Sequence, residues 1–259
     1  MPFLLKCIYM NIFKALFTII IVLAVAGALL LGYLGFVPGL AKIFGSDKPR
    51  DLGIKYVQAD YESAGLKNKI QIEVLDKAPD AKSSLKMEGK NPVEASFTSE
   101  EVTSRINVNQ PNWKYFPVKD VQIKFNRDGY AEASGILLVD RLKNYARATG
   151  VQADAVMKIE AIFDKYHIPK NSFPVYMMGK AVILENKVFI DVSVLQIGKF
   201  TVPHDIYKEA KPVVDDFLSQ QLSSGYPGLY IKSLNFDNGK LNFNGTLPAK
   251  ITTAREVLQ

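Results

Sequence analysis

Cysteine and histidine are almost absent from this chain, and their scarcity excludes several kinds of site. The only cysteine among the 259 residues is Cys7, so the rest of the chain can form neither a disulfide framework nor a cysteine–zinc cluster. The two histidines, His167 and His204, lie close to prolines, and neither has further ligands at metal-binding spacing. Asp205, next to His204, is interpreted as the start of a helix. We therefore expect no metal site.

Sequence motifs for catalysis and for cofactor binding are also missing. The chain contains no G-x-S-x-G elbow, no H-E-x-x-H motif, no P-loop and no G-x-G-x-x-G fingerprint. Asp215 and Asp216 are adjacent on a predicted helix and point to different faces, whereas acid–base catalysis needs carboxylates that converge in space. We expect that the protein is not an enzyme and has no catalytic residues and no cofactor.

Charge of one sign is not concentrated in any stretch. The chain has 32 basic and 26 acidic residues and a net charge of +6. Three of the basic residues, Lys6, Lys14 and Lys42, lie within the first 44 positions, which contain no acid, so the remainder is close to neutral. Its charges are interleaved, as in DKAPDAKSSLKMEGK. Because nucleic-acid binding requires a basic stripe, we expect no nucleic-acid partner.

One long apolar run stands near the N-terminus. The segment ALFTIIIVLAVAGALLLGYLGF carries no charge and is long enough for a helix to cross a bilayer, which takes about 20 apolar residues. We predict a short tail over 1–14, a transmembrane anchor over 15–36, a linker into the domain over 37–66, and an extracytoplasmic domain over 67–259. A cleavable signal peptide ending at an A-x-A site is the alternative.

Alternating apolar residues predict strands in the remainder of the chain. Ile70, Ile72 and Val74 alternate with polar residues, PVEASF is a second candidate, and VYMMGKAVILENKVFIDVSVLQIG is typical of a β-hairpin that turns at LENK. The polar stretch between the first two is interpreted as a loop. Strands of this kind predict an antiparallel sheet with one covered face.

A short piece of sequence occurs twice. FNRDGYAEASGILL at 125–138 is similar to FDNGKLNFNGTLPA at 236–249, with Gly129, Gly135 and Leu137 each matched 110 positions later. Each copy predicts a hairpin in which the first glycine supplies the turn. The similarity is explained either by duplication of a strand pair or by the general likeness of hairpins.

Helices are predicted in four further regions. Thr98 and Glu101 have the spacing of a capping box, which predicts a helix over 98–107. Apolar residues recur at helical spacing in DRLKNYARATGV and ADAVMKIEAIFDKYHIP, and again from about Asp205 to Leu222. Pro212 lies inside the last helix and predicts either a kink or a break there. The fold class is therefore α+β: an antiparallel sheet of repeated hairpins against two or three helices, preceded by one transmembrane helix.

Two groups of apolar residues are candidates for binding. Residues on the strongly apolar strands and on the last helix are predicted to line a groove between sheet and helix: Met177, Ile190, Val192, Ile206, Val213, Phe217 and Phe243. The aromatic loop NWKYFP is predicted to dock at a membrane interface through Trp113, Tyr115 and Phe116, or else to close the end of the sheet.

The order of these motifs resembles a known group of proteins. FTSEEVTSRIN, VQIKFNRDGYAEASGIL, FPVYMMGKAVILENKVFIDVSVLQIGKFTVP and LYIKSLNFDNGKLNFNGTLP, within about 95–250, resemble YpmS-like membrane-anchored envelope proteins of mainly Gram-positive bacteria. Some of these look like relatives of the TULIP superfamily of lipid-binding domains. The resemblance implies an elongated sheet wrapped on a long helix with an apolar groove, and it implies no catalytic residue.

The expected function follows from the anchor, the apolar strands and this resemblance. We expect a protein anchored in the cell membrane by one span, with its domain outside the cytoplasm, that binds lipid or another apolar ligand. The alternative is an envelope structural protein that contacts other proteins and binds no small ligand.

Overall fold

The computed structural model describes residues 2–166, 168, 170, 172–222 and 226–258, without the side chains of residues 2–17 and 38. His167 lies outside the described residues. The helices are α1 (Pro2–Leu34), α2 (Pro38–Phe44), α3 (Gln58–Asn68), α4 (Ser99–Asn109), α5 (Val139–Thr149), α6 (Ala153–Lys165) and α7 (His204–Gln220).

The strands follow in chain order: β1 (Gln71–Ala78), β2 (Leu85–Glu88), β3 (Asn91–Phe97), β4 (Val118–Phe125), β5 (Ala131–Leu137), β6 (Phe173–Leu184), β7 (Lys187–Ile197), β8 (Phe200–Thr201), β9 (Tyr230–Asp237), β10 (Lys240–Leu247) and β11 (Lys250–Val257). Eight of them form a curled antiparallel sheet with the order β3-β10-β9-β6-β5-β4, in which β7 pairs with β6 and with β8. The other three form a small sheet with the order β1-β11-β2.

The α+β class and the antiparallel sheet are confirmed, with differences in three strands. β2 lies inside the polar stretch that was interpreted as a loop, and neither β11 nor the two-residue β8 was predicted. β1 and β11 run parallel, so the small sheet is mixed. Parallel strands are joined by long connections and not by tight turns, so no turn motif in the sequence marks their pairing.

The two similar hairpins are β4–β5 and β9–β10, and their turns face each other. Phe125 and Phe236, which precede the turns, stack with ring centroids 5.2 Å apart. A Cβ on Gly129 would lie 3.3 Å from the carbonyl oxygen of Phe236, and a Cβ on Gly239 would lie 3.6 Å from that of Phe125. Each turn therefore approaches the backbone of the other copy in the same way.

α4 begins at the predicted capping box. The Thr98 hydroxyl accepts a hydrogen bond from the Glu101 amide at 3.2 Å, and the Glu101 carboxylate accepts one from the Thr98 amide at 2.9 Å. The helix continues to Asn109, two residues beyond the predicted end. The local signal was sufficient here because both partners of the cap lie within one turn.

α4 also covers β4, the strand at one end of the large sheet. Three side chains at four-residue spacing accept hydrogen bonds from alternate backbone amides of that strand: Ser99 from Phe125 at 2.9 Å, Thr103 from Ile123 at 3.0 Å, and Asn107 from Val121 at 2.9 Å. We call this set the α4–β4 ladder. It satisfies donors that an edge strand otherwise exposes.

Glu101 joins α3 to α4. Its side chain is 4% exposed and accepts hydrogen bonds from Lys67 Nζ at 2.6 and 2.7 Å and from the Ser63 hydroxyl. Burial alone would raise the pKa of the Glu101 carboxyl, but the bonds from Lys67, Ser63 and the Thr98 amide outweigh it and hold the pKa below its usual value.

α7 packs against α6 and β7. It is one helix from His204 to Gln220 with Pro212 inside it, so a break at Pro212 was the wrong alternative. Leu218 and Phe217 carbonyl oxygens accept bonds from the amide of Gln221, which ends the helix.

The C-terminal end of α1 contacts the β7–β8 turn. The Leu34 carbonyl oxygen accepts a hydrogen bond from the Lys199 amide at 3.3 Å, and Phe36 packs edge-on against Phe200. Residues 15–17 of the predicted anchor have no described side chains. Within the described part of the chain, no helix combines the length and the apolar character that crossing a membrane requires.

Candidate functional site

An apolar cavity lies between the small sheet and α4. Its volume is about 450 Å³, and we call it the main cavity. Its walls are formed by Asn68, Ile70, Ile72, Leu85, Met87, Arg105, Ile106, Asn109, Trp113, Phe116, Pro117, Val118, Tyr145, Tyr226, Ile251 and Thr253. The volume falls within the range of about 300–1,000 Å³ that is typical of small-molecule sites.

One wall of the main cavity is a single face of the small sheet. Side chains alternate between the two faces of a strand, so Leu85 and Met87 on β2 point the same way, as do Ile251 and Thr253 on β11. Ile72 pairs with Ile251 across the parallel β1–β11 register. The alternation that predicted β1 therefore also places Ile70 and Ile72 in the cavity wall.

Trp113 forms the opposite wall. It is 5% exposed, and its indole Nε1 donates a hydrogen bond to the Ser84 hydroxyl at 3.0 Å. Its ring packs against Phe116 at 6.0 Å and Tyr145 at 5.5 Å between centroids. The buried indole therefore has its N–H satisfied and presents its apolar ring to the cavity.

A pair of tyrosines closes one end. The hydroxyls of Tyr145 and Tyr226 lie 2.6 Å apart, and the Tyr145 hydroxyl also donates to Gln221 Oε1 at 3.4 Å. Burial raises the pKa of both phenols, since the ionised form would lose its hydration. Both groups are therefore neutral at physiological pH and can offer a ligand only hydrogen bonds.

Two polar groups of the main cavity wall are incompletely bonded. The Thr253 hydroxyl is buried, in a residue that is 9% exposed, and has no hydrogen-bond partner within the described residues. The Arg105 guanidinium makes no ion pair there either, although its carbon lies 4.4 Å from the centre of the Tyr61 ring. By contrast, the side-chain amides of Asn109 and Asn68 have partners. Asn109 donates a hydrogen bond to the Arg105 carbonyl oxygen and accepts one from the Tyr61 hydroxyl, and Asn68 accepts one from the Ile70 amide.

A second cavity of about 180 Å³ lies against the large sheet and is lined by Val102, Ile123, Phe125, Ala131, Glu132, Ala133, Met177, Gly179, Lys180, Ala181, Ile190, Val192, Phe236 and Leu241. It contains the turn-flanking phenylalanines of both similar hairpins. It is smaller than the lower end of the range for ligand sites.

The predicted groove residues are distributed over three places. Met177, Ile190 and Val192 come together in the second cavity. Phe243 packs in the core with Val93, Phe97 and Ile231. On α7, Phe217 packs against a buried cluster from α5 and α6, while Ile206 and Val213 are half-buried and line neither apolar cavity.

The aromatic loop lies at the main cavity. Trp113 is buried and Phe116 is half-buried, and both line the main cavity, while Tyr115 is half-buried beside them and outside its lining.

Sequence reasoning missed Arg105, Thr253 and the main cavity as a whole. The helical spacing of the α4 sequence contained a signal for Arg105. The polar residues that cover β4 lie on one face of the helix, and Arg105, Ile106 and Asn109 lie on another. Ile251 and Thr253 gave no signal, since β11 itself was not recognised.

No group of three or more metal-binding side chains occurs among the described residues. His204 is exposed at the start of α7. Comparison with protein-family models, with curated proteins and with solved structures finds no match to this chain.

Proposed function

We propose that this protein binds a lipid or lipid-like apolar ligand in the main cavity. The observation that carries the proposal is an apolar space of about 450 Å³ that is lined by the buried Trp113. Water cannot form hydrogen bonds with apolar walls. Binding of an acyl chain that displaces this water is therefore favoured by about 25 cal/mol for each Å² of apolar surface removed from water. The proposal agrees with the resemblance to YpmS-like and TULIP proteins, from which an apolar groove is expected.

Trp113 makes the proposal testable at the site itself, because it is the only tryptophan of the chain. We expect a monoacylglycerol with a brominated chain to quench Trp113 fluorescence in the full-length protein in nanodiscs, since bromine quenches at close range. Replacing Ile72 and Ile251 together with phenylalanine fills adjacent positions of the cavity wall. We expect this double variant to bind at least about tenfold more weakly, which is about 1.4 kcal/mol.

The matched control places the same two changes in the second cavity, at Ile123 and Ile190. That variant should keep the wild-type quenching curve. Equal weakening by the two double variants, or no quenching in the wild-type protein, would contradict binding in the main cavity. In the second case, the role of an envelope protein that contacts other proteins becomes the better explanation.

We further propose that α1 holds the protein at the cell membrane, with the domain outside the cytoplasm. Most side chains of α1 from Thr18 onward are apolar and exposed, among them Ile20, Leu23 and Leu30 at 55–65%. An apolar helix surface that the protein does not cover is stable in lipid and costly in water.

Alkaline carbonate extraction of cell membranes tests this anchoring. We expect the full-length protein to stay with the membrane pellet and a variant without residues 1–36 to be released. Release of the full-length protein would exclude an integral anchor. Protease digestion of intact cells, with cleavage expected in the domain, then checks the orientation.

A further inference from the structure

Arg105 is the charged side chain of the main cavity. Among the residues that the structure describes around this space, the others are apolar, aromatic, amide or hydroxyl side chains. No acidic side chain lines the wall to balance the guanidinium. A cation at the edge of an apolar space is costly unless a group of opposite charge accompanies it.

The contacts of Arg105 leave its hydrogen-bonding capacity unused. The guanidinium carbon lies over the Tyr61 ring at 4.4 Å, which is a contact through the flat face of the group. The five N–H donors lie in the plane of the guanidinium and point outward from its edge. Within the described residues, no side-chain or backbone oxygen accepts a hydrogen bond from them.

A glycine of α3 lies beside this edge. Gly65 lies in the middle of α3, where glycine costs about 1 kcal/mol relative to alanine. A Cβ at Gly65 would lie 3.3 Å from Arg105 Nη1, closer than ordinary van der Waals contact. The glycine therefore lets the guanidinium lie directly against α3.

The electrostatics also favour an anion beside Arg105. Burial lowers the pKa of Arg105 below the usual value of an arginine, and the nearby Tyr61 only partly opposes this. On β11, the buried Thr253 hydroxyl is a second donor in the same cavity without a partner among the described residues.

From this geometry we infer that the ligand is an anionic amphiphile, with a carboxylate or phosphate monoester bound by Arg105 and an apolar chain in the main cavity. The inference rests on the proposed function and adds the chemistry of the head group. Arginine is suited to this role because its planar donors match two oxygens of a carboxylate or phosphate.

The test compares two brominated ligands of the same chain length, a fatty acid and the corresponding alcohol, by quenching of Trp113. The full-length protein in zwitterionic nanodiscs is titrated with each ligand. We expect the wild-type protein to prefer the acid, and Arg105→Gln to lower that preference by at least about tenfold. The affinity of Arg105→Gln for the alcohol should remain that of the wild-type protein.

Two further variants separate a head-group role from a structural one. Arg147→Gln removes the same charge from the exposed surface of α5 and should leave the preference unchanged, which also corrects for partition of the acid into lipid. Arg105→Lys keeps the charge and should restore part of the preference. If Arg105→Gln loses binding of both the acid and the alcohol, and Arg105→Lys does not recover it, the inference would be overturned.

The remaining outcomes distinguish this inference from the function on which it rests. If acid and alcohol quench Trp113 equally well in the wild-type protein, the anionic head group is wrong and apolar binding stands. If neither ligand quenches Trp113, both the anionic head group and the apolar binding are wrong. Inorganic phosphate at millimolar concentration should not relieve quenching by the acid, because phosphate has no apolar chain; full relief would show that the chain adds no affinity and would overturn the inference.

Discussion

Replacing Gly245 with alanine is expected to destabilise the domain by about 3 kcal/mol or more, out of a total of about 5–15 kcal/mol for a typical protein. The added Cβ would lie 2.1 Å from the carbonyl oxygen of Tyr230 and 3.2 Å from the Cα of Ile231. Both are backbone atoms of β9, which pairs with β10 and shifts register at this glycine. The strands would have to separate because no side-chain rotation can relieve the contact.

The corresponding glycine of the other hairpin provides the control. In Gly135→Ala, the nearest atoms to the added Cβ would be a methyl group of Val121 at 3.2 Å and the Lys119 oxygen at 3.3 Å. That variant should lose about 1 kcal/mol, because small shifts suffice. Urea unfolding followed by the fluorescence of Trp113 measures both. Equal losses in the two variants would show that the close approach at Gly245 is relieved by movement of β9.

The second large effect is expected from Glu101→Gln, at about 2–3 kcal/mol. The change removes a buried carboxylate that closes the cap of α4 and pairs with Lys67, whose side chain is 35% exposed. Lys67 can turn toward water when its partner is lost, so the cost stays below that of breaking a fully buried pair. Glu100→Gln changes the same charge in the same turn, where Glu100 makes no ion pair within the described residues, and should cost less than about 0.5 kcal/mol.

The pH dependence gives an independent measure of Glu101. Its pKa is lowered in the folded protein, so its contribution is complete above the unfolded value of about 4.3 and is lost as the pH falls through the folded value. The difference in unfolding free energy between wild type and Glu101→Gln should therefore shrink on acidification below about pH 4.3. A difference that is constant from pH 7 to 3 would mean that the carboxylate contributes through shape alone.

Elements with a local signal were predictable from the sequence. The cap at Thr98 and Glu101 needs residues three apart, and the LENK turn needs two residues that tolerate positive φ, here Glu185 at 51° and Asn186 at 60°. In these cases the atoms that decide the structure are neighbours in the chain.

The main cavity was not predictable because its walls come from distant parts of the chain. Thr252 on β11 bonds Glu73 on β1, 179 positions away, and this parallel pairing creates the apolar face of the small sheet. Trp113 was noticed as an aromatic residue, but its burial depends on Ser84 and Tyr145. Apolar alternation shows that a strand has a covered face; it does not show whether protein atoms or an open space cover it.

The length of the α4–β4 ladder is limited because the helix and the strand advance by different distances between successive hydrogen bonds. Four residues of helix advance about 6.0 Å, whereas two residues of antiparallel strand advance about 6.8 Å, so each rung adds an offset of about 0.8 Å. Three rungs stay within hydrogen-bond range, and a fourth would be about 2.4 Å out of step. β4 becomes irregular just beyond the third rung, where Asp120 has φ 52° and the pairing with β5 shifts. A helix can therefore stand in for a missing strand over about five residues, and a longer sheet edge would need a different cover.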